Sequence, residues 1–214
     1  EDGLSTAIMT RHDELRRQAL GQLEQFEVLM RNGHFDYGNG FHGRVYLNPH
    51  RLFRYPSTIW RLAQDLLDVL PGELLERTEV VAGPVMGGAL LAHTLAGLLD
   101  GRRSLTHPPC SFAPFSSRGD QDFRLRDFYA RGMAGKRVLI ADDVRNTGKT
   151  FARCADLVRQ AGGTVLATVQ ICDRMEAIAD AGVPNYTLAE YKAPENFVAA
   201  DCPMCKAGEP VTSF

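Results

Sequence analysis

"KRVLIADDVRNTGKTFARCADLVRQAGG", Lys136 to Gly163, is the stretch on which the fold turns. Four apolar residues, Val138 to Ala141, run without polar alternation, which is the mark of a strand buried on both faces of a parallel sheet. Two acids, Asp142 and Asp143, end the run. Thr147-Gly148-Lys149-Thr150 then opens an amphipathic helix that Gly162-Gly163 stops. "NTGKT" has the ending of a nucleotide-binding P-loop. That loop needs glycine where Asp143 stands, and a carboxylate there would face a polyphosphate, so the P-loop reading fails.

The same alternation extends outward. "EVVAGPV" reads as a strand, "GGALLAHTLAGLLDG" as a helix entered through glycines, and "SLTHPPCSFAPF" as irregular or extended chain. "TVLATVQICDR" and "YTLAEYKA" read as further strands. Upstream, apolar residues at three and four spacing predict a helix over 5–31, stopped by Gly33. "HFDYGNGFHGRVYLN" predicts two short extended pieces around Gly38-Asn39-Gly40, and "YPSTIWRLAQDLLDVLPG" a second helix. The fold class is α/β, a mainly parallel central sheet flanked by helices. Ligands of such sheets collect at the carboxyl ends of the strands, which predicts one crevice shared by Gly83–Gly88, Asp142–Thr150 and Asp173-Arg174.

With 214 residues, 44% hydrophobic and 23% charged, the chain has the composition of an ordinary globular domain. A net charge of −2 gives no reason to expect nucleic acid or an anionic membrane as partner. No apolar run approaches the ~20 residues of a membrane span, and the first residues lack a secretory pattern. The chain begins at Glu1, from which we expect a short leader outside this sequence. Of five cysteines, Cys154 and Cys172 fall in a predicted helix and strand, as reduced, buried thiols of a cytoplasmic protein would. Cys202 and Cys205 form a single CxxC, half of a tetrahedral zinc shell; a structural or redox-sensitive tail is the preferred reading.

The turn after the acids can wrap one phosphate monoester with backbone N–H groups, Thr hydroxyls and the positive end of the helix, an effect of up to ~2 kcal/mol. The acids, pure acceptors when ionised, suit hydroxyl groups. A 5-phosphate with free ribose 2- and 3-hydroxyls satisfies both ends. "VVAGPVMGG", Val80 to Gly88, offers bare backbone at a helix start, suited to pyrophosphate or its Mg²⁺.

"VLIADDVRNTGKT" resembles the phosphoribosyl diphosphate (PRPP) signature of the type I phosphoribosyltransferases. The resemblance implies that Asp142 and Asp143 hold the ribose hydroxyls and take part in catalysis, with Mg²⁺ beside them through water or ribose. It implies that Asn146, Thr147, Gly148, Lys149 and Thr150 hold the 5-phosphate. Gly83, Pro84, Val85, Met86, Gly87 and Gly88 resemble the pyrophosphate loop, here without the Lys that some members carry. Arg145 and Asn146 depart from the family's aliphatic residue and Thr; Arg145 either adds charge or points into solvent.

Over roughly residues 30–210 the likeness is closest to the orotate phosphoribosyltransferases. "FDYGNGFHGRVYLNPHRLF" is similar to their base-covering segment, which implicates Phe35 and Tyr37. Arg174, in "ICDR", matches an Arg that pairs with the orotate carboxylate, and "DCPMCKAGEPV" resembles the tail of one bacterial and archaeal branch. The implied organisation is an N-terminal helix and hood over 1–55 and a PRPP-binding core with its tail over 56–214. The loop that closes over the reacting groups corresponds to 114–132, which has no Lys and no His; its cations are Arg118, Arg124, Arg126 and Arg131, and the resemblance gives Arg118 and Arg124 a catalytic role. A homodimer is implied, since relatives borrow loop residues from a neighbour. Three functions stay open at this point: transfer to orotate, transfer to another base or specialised acceptor, and PRPP sensing without catalysis.

Overall fold

The computed structural model describes residues 10–38, 40–117, 122–176, 178–192 and 196–214. Helix α1 (Arg11–Gln25) starts at a capping box in which the Thr10 side chain and the Asp13 carboxylate satisfy each other's backbone N–H groups. It ends earlier than the apolar spacing predicts. Glu27 turns the chain with a positive φ of 54°, and Leu29–Met30 (β1) leaves the helix to pair with Tyr46–Leu47 (β4). Between them Phe35–Asp36 (β2) and Phe41–Gly43 (β3) form the expected antiparallel pair. A 3₁₀ turn over Pro49–Arg54 leads into α2 (Pro56–Val69), followed by a short α3 (Gly72–Arg77) that the sequence reading did not anticipate.

The alternating core then follows: β5 (Val80–Pro84), α4 (Gly87–Gly101), β6 (Ser111–Ser117), β7 (Phe123–Arg124), α5 (Asp127–Met133), β8 (Arg137–Arg145), α6 (Lys149–Gln160), β9 (Thr164–Asp173) and β10 (Asn185–Glu190). Strand β11 (Phe197–Val198) and the short α7 (Pro203–Lys206) complete it. The central sheet has the order β10-β9-β8-β5-β6-β7, parallel throughout except for the β6–β7 hairpin. All five residues of β5 are buried, as a strand covered on both faces requires.

Successive strand residues point to opposite faces, and each face has its own apolar layer. Val81, Leu139 and Val169 meet Leu62, Leu66, Leu91 and Leu95 of α2 and α4, with Leu15, Ala19 and Leu23 of α1 in the same cluster. Val80, Val138 and Ile140 meet Phe151, Cys154 and Val158 of α6 on the other face. Cys154 and Cys172 are free and fully buried, and burial pushes the Cys172 thiol up to about 12. No helix among the described residues is long and apolar enough to cross a membrane.

Where β5 hands over to α4, the backbone must pass close to β8. A Cβ on Gly83 would overlap the Gly88 carbonyl and sit 2.7 Å from the Ala141 carbonyl oxygen, both backbone atoms with little freedom to yield. We expect Gly83→Ala to lower unfolding free energy by about 1–3 kcal/mol in urea denaturation, the usual cost of overpacking.

Candidate functional site

The carboxyl ends of β5, β8 and β9 do meet at one mouth. At its floor the two glycines that start α4 face the acids that end β8. A Cβ on Gly87 would overlap the Asp143 carboxylate, and one on Gly88 would lie 2.8 Å from Asp142 Oδ1. The glycines are therefore required by the acid pair, beyond any need for a turn. Phe53 of the 3₁₀ turn closes the same spot, 2.5 Å from a Cβ on Gly87. Val85 and Met86 stand exposed at the lip, so this loop presents backbone to the cleft and two apolar side chains to solvent.

Each acid takes one backbone N–H onto its Oδ1: Asp143 N–H donates to Asp142 (2.9 Å) and Val144 N–H to Asp143 (2.7 Å). Burial, and after it the Asp143 charge, pushes the Asp142 carboxyl well above its ordinary value. Burial raises Asp143 as well, opposed by the Val144 backbone bond and by a side-chain hydrogen bond with Asp142. His50, exposed on the 3₁₀ turn, packs edge-on against Phe53 (ring centroids 6.1 Å), whose ring closes the floor beside Asp143; the sequence reading did not single it out. Its only signal was its place in the aromatic, Gly-rich segment.

Beyond the acids the chain makes the expected turn. Gly148, with φ 83°, caps α6, and a side chain there would overlap the Ala179 carbonyl. The Thr147 carbonyl accepts from Ile178 N–H (3.0 Å) and Ala179 N–H (2.8 Å), fastening the turn to the segment after β9. Asp142, Arg145, Asn146, Thr147, Gly148 and Thr150 line a concavity of about 270 Å³ at the N-terminus of α6. Lys149 is exposed at the helix start.

Arg145 does not point into solvent. Its guanidinium donates to Asp173 Oδ2 (2.9 Å), a carboxylate that also receives Asn185 Nδ2 (3.2 Å) and, on Oδ1, Met175 N–H (2.8 Å). With side chains 15% and 4% exposed, this pair holds the ends of β8 and β9 in register.

Arg174 follows Asp173 into an adjoining cleft of about 350 Å³, lined by Tyr37, Tyr46, Leu47, Asn146, Thr147, Arg174, Glu176 and Asn196. Asn146 and Thr147 are common to both hollows, so the two adjoin across these residues. The Nε and one terminal nitrogen of Arg174 are buried and have no hydrogen-bond partner among the described residues; Glu176 lies 3.6 Å away. Tyr37 reaches this cleft because Gly43 leaves room for its hydroxyl, which donates to the Val45 carbonyl. Phe35 does not reach it. Its ring is buried against Tyr46 and Phe214, and Tyr46 faces the cleft instead. Arg124 lies on the β6–β7 hairpin, exposed and paired with Asp122 (3.1 Å), and lines neither hollow. Arg118 lies outside the described residues.

A strand-end acid pair, a glycine-capped anion turn and a parallel sheet of this order define a phosphoribosyltransferase of type I architecture. Solved structures bear this out. Orotate phosphoribosyltransferase from Aeropyrum pernix aligns with a TM-score of 0.61 at 26% identity over 80% of this chain and 93% of that one. Adenine phosphoribosyltransferase from Thermoanaerobacter pseudethanolicus aligns with 0.60 at 17% identity over 80% and 99%, a likeness of fold alone. No family model matches the chain. Sequence relatives narrow the class: orotate phosphoribosyltransferases from Erythrobacter litoralis (34% identical over 91% of this chain and 94% of the relative) and Caldanaerobacter subterraneus (31% over 92% and 95%). The chain belongs to the orotate phosphoribosyltransferase family.

Two outcomes test this description. Removing the guanidinium with Arg145→Met strands a buried carboxylate at Asp173 and should cost about 3 kcal/mol in urea unfolding. For Asp142 the raised folded value means that the native state keeps its proton after the unfolded chain has released it. The stability that this carboxyl contributes to ligand-free protein is therefore lost as pH rises above 3.8. Asp142→Asn should escape that loss, its Tm overtaking the wild type's across an alkaline-going pH series.

Proposed function

We propose that the chain transfers the phosphoribosyl group of PRPP to orotate, releasing pyrophosphate and forming orotidine 5′-phosphate. The observation that carries the choice of base is the Arg174 guanidinium, buried beside two tyrosines with hydrogen-bonding capacity unspent. A planar fork in that state suits a carboxylate, which accepts two parallel N–H bonds. Adenine and the other purine bases offer none.

In this reading the turn 146–150 takes the 5-phosphate on backbone N–H groups and hydroxyls at the start of α6. Asp142 and Asp143 accept from the ribose hydroxyls, the bare backbone of 83–88 meets the diphosphate, and Tyr37 and Tyr46 wall the base. The base nitrogen forms its bond to C1 as the bond from C1 to the diphosphate oxygen breaks, with positive charge spreading over the ribose ring. Ionised carboxylates nearby favour that charge. Because burial favours their protonated forms, PRPP binding must expel a proton from the pair, so affinity should increase with pH.

The acids also fit Mg²⁺. Each accepts one backbone N–H on Oδ1, a side-chain hydrogen bond links the two carboxyls, and together they make no cage of three protein ligands. That is how an ion that retains water and shares substrate oxygens is held. Bound there, Mg²⁺ supplies neutralisation of the diphosphate charge. A homodimer accompanies this reading.

One observation favours a second reading, PRPP binding without transfer: Arg124, tied to Asp122, is turned to solvent. Pyrophosphate release with orotate, uracil, hypoxanthine and guanine, alongside PRPP/Mg²⁺ thermal shifts, separates the two. We expect release with orotate alone. Asp142→Asn/Asp143→Asn should reduce turnover by at least ~10²-fold. Arg174→Ala should raise the orotate KM by ~10-fold or more with the PRPP shift retained. Stabilisation by PRPP without release from any base would contradict transfer.

A further inference from the structure

The CxxC of the tail does not stand alone. Hairpin β2–β3 carries His42, and His34 sits one residue ahead of β2; both rings turn toward Cys202 and Cys205, far away along the chain (168 positions from His34 to Cys202, 163 from His42 to Cys205). One ligand atom from each of the four lies within 4.8 Å of every other, and among the described residues no other group of three or more such side chains is found. His34 Nε2 is 3.0 Å from His42 Nδ1, 3.5 Å from Cys202 Sγ and 3.6 Å from Cys205 Sγ, and Cys205 Sγ is 3.3 Å from His42 Nδ1. A tetrahedral zinc with bonds of ~2.3 Å to sulfur and ~2.0–2.1 Å to nitrogen has N–N edges of about 3.3 Å and N–S edges of about 3.6 Å. The four side chains already outline that tetrahedron.

The surroundings orient the rings for it. His34 Nδ1 lies 2.9 Å from the Glu209 carbonyl oxygen, which only accepts, so the ring proton belongs on Nδ1 and the Nε2 lone pair faces the cluster. His42 directs Nε2 to the Asp36 carboxylate at 3.9 Å, which favours the proton there and a lone pair on Nδ1. With the ring protons turned outward, only thiol protons or a metal cation can bridge these two lone pairs and two sulfurs. Metal-bound histidines use such outward partners, here a carbonyl hydrogen-bonded to one ring and a carboxylate near the other. Three of the four residues are buried, and Cys205 is exposed, which leaves the ion a path in.

The geometry points to a structural zinc site, Cys₂His₂, that staples the tail to the hairpin beside the base cleft. Thiolate with imidazole selects zinc over magnesium or calcium. The staple has neighbours pulling the same way: Arg44 forms a two-bond pair with Glu209, Thr212 N–H donates to the His34 carbonyl, and Phe214 stacks on Tyr46 at 4.5 Å. Tyr46 lines the cleft, so the ion would fix the wall that faces Arg174. The inference is independent of the transfer reaction.

The test is metal analysis of the full chain purified with a thiol reductant and no chelator. We expect about one zinc per chain with two sulfur and two nitrogen neighbours by X-ray absorption. Cys205→Ser and His42→Ala should each lose it, and Cys110→Ser, away from the cluster, should keep it. Should the two variants fail to fold, Co²⁺ uptake by chelator-stripped wild type decides. Tetrahedral visible bands with thiolate charge transfer, and a Tm restored on loading, support the site. Stripped protein that takes up neither Zn²⁺ nor Co²⁺, or zinc retained in both folded variants, overturns it.

Discussion

Two adjacent carboxyl groups at the end of β8 are held against a wall that has no side chains. Every other feature of the mouth depends on this. Gly87 and Gly88 leave the space into which Asp143 and Asp142 project, and Gly83 lets the backbone of β5 come close enough to make that wall. The arrangement is costly to the empty protein, since burial and mutual repulsion push the Asp142 carboxyl well up. A group kept under such penalty is characteristic of functional sites, where a ligand relieves it. The proposed ligand, rich in hydroxyls and accompanied by a cation, would do so.

The second constraint is angular. Arg145, unusual for its position, fastens Asp173, and Asp173 in turn holds the Met175 N–H and the Asn185 amide. The next residue, Arg174, is thereby presented to its cleft from a braced backbone. The proposed base site, on a rigid strand end, and the proposed phosphate site, on a helix start, share Asn146 and Thr147 as lining residues. In the proposed reaction this sharing sets how far the base nitrogen stands from C1, and positioning of that kind is a large part of catalysis.

Much of this was legible in the sequence because it is local. A run of Val, Leu and Ile followed by two acids and a glycine-capped helix is written in consecutive residues from Val138 to Gln160, and the parallel sheet follows from the absence of polar alternation in its strands. What was not legible depends on distance or on ambiguous period. The helix over 5–31 was drawn too long because Val28 and Leu29 are buried after the helix has ended, and periodicity reports burial, not hydrogen bonding. The aromatic segment that points to Phe35 as a base contact does not say which ring faces the cleft: Phe35 packs against Tyr46 and Phe214, and Tyr46 lines the cleft. The CxxC looked like half a site because its partners, His34 and His42, lie at the opposite end of the chain and meet it only through β2–β3 and β11.

The central claim is that the two aspartates, the turn behind them and Arg174 grip a single pair of reactants. A crystal structure of the protein with PRPP, Mg²⁺ and orotate tests it most directly. The account predicts the 5-phosphate on the 146–150 turn, the ribose hydroxyls on Asp142 and Asp143, and the orotate carboxylate on the Arg174 guanidinium. Orotate bound with its carboxylate away from Arg174, or a ribose that leaves both aspartates untouched, would contradict it.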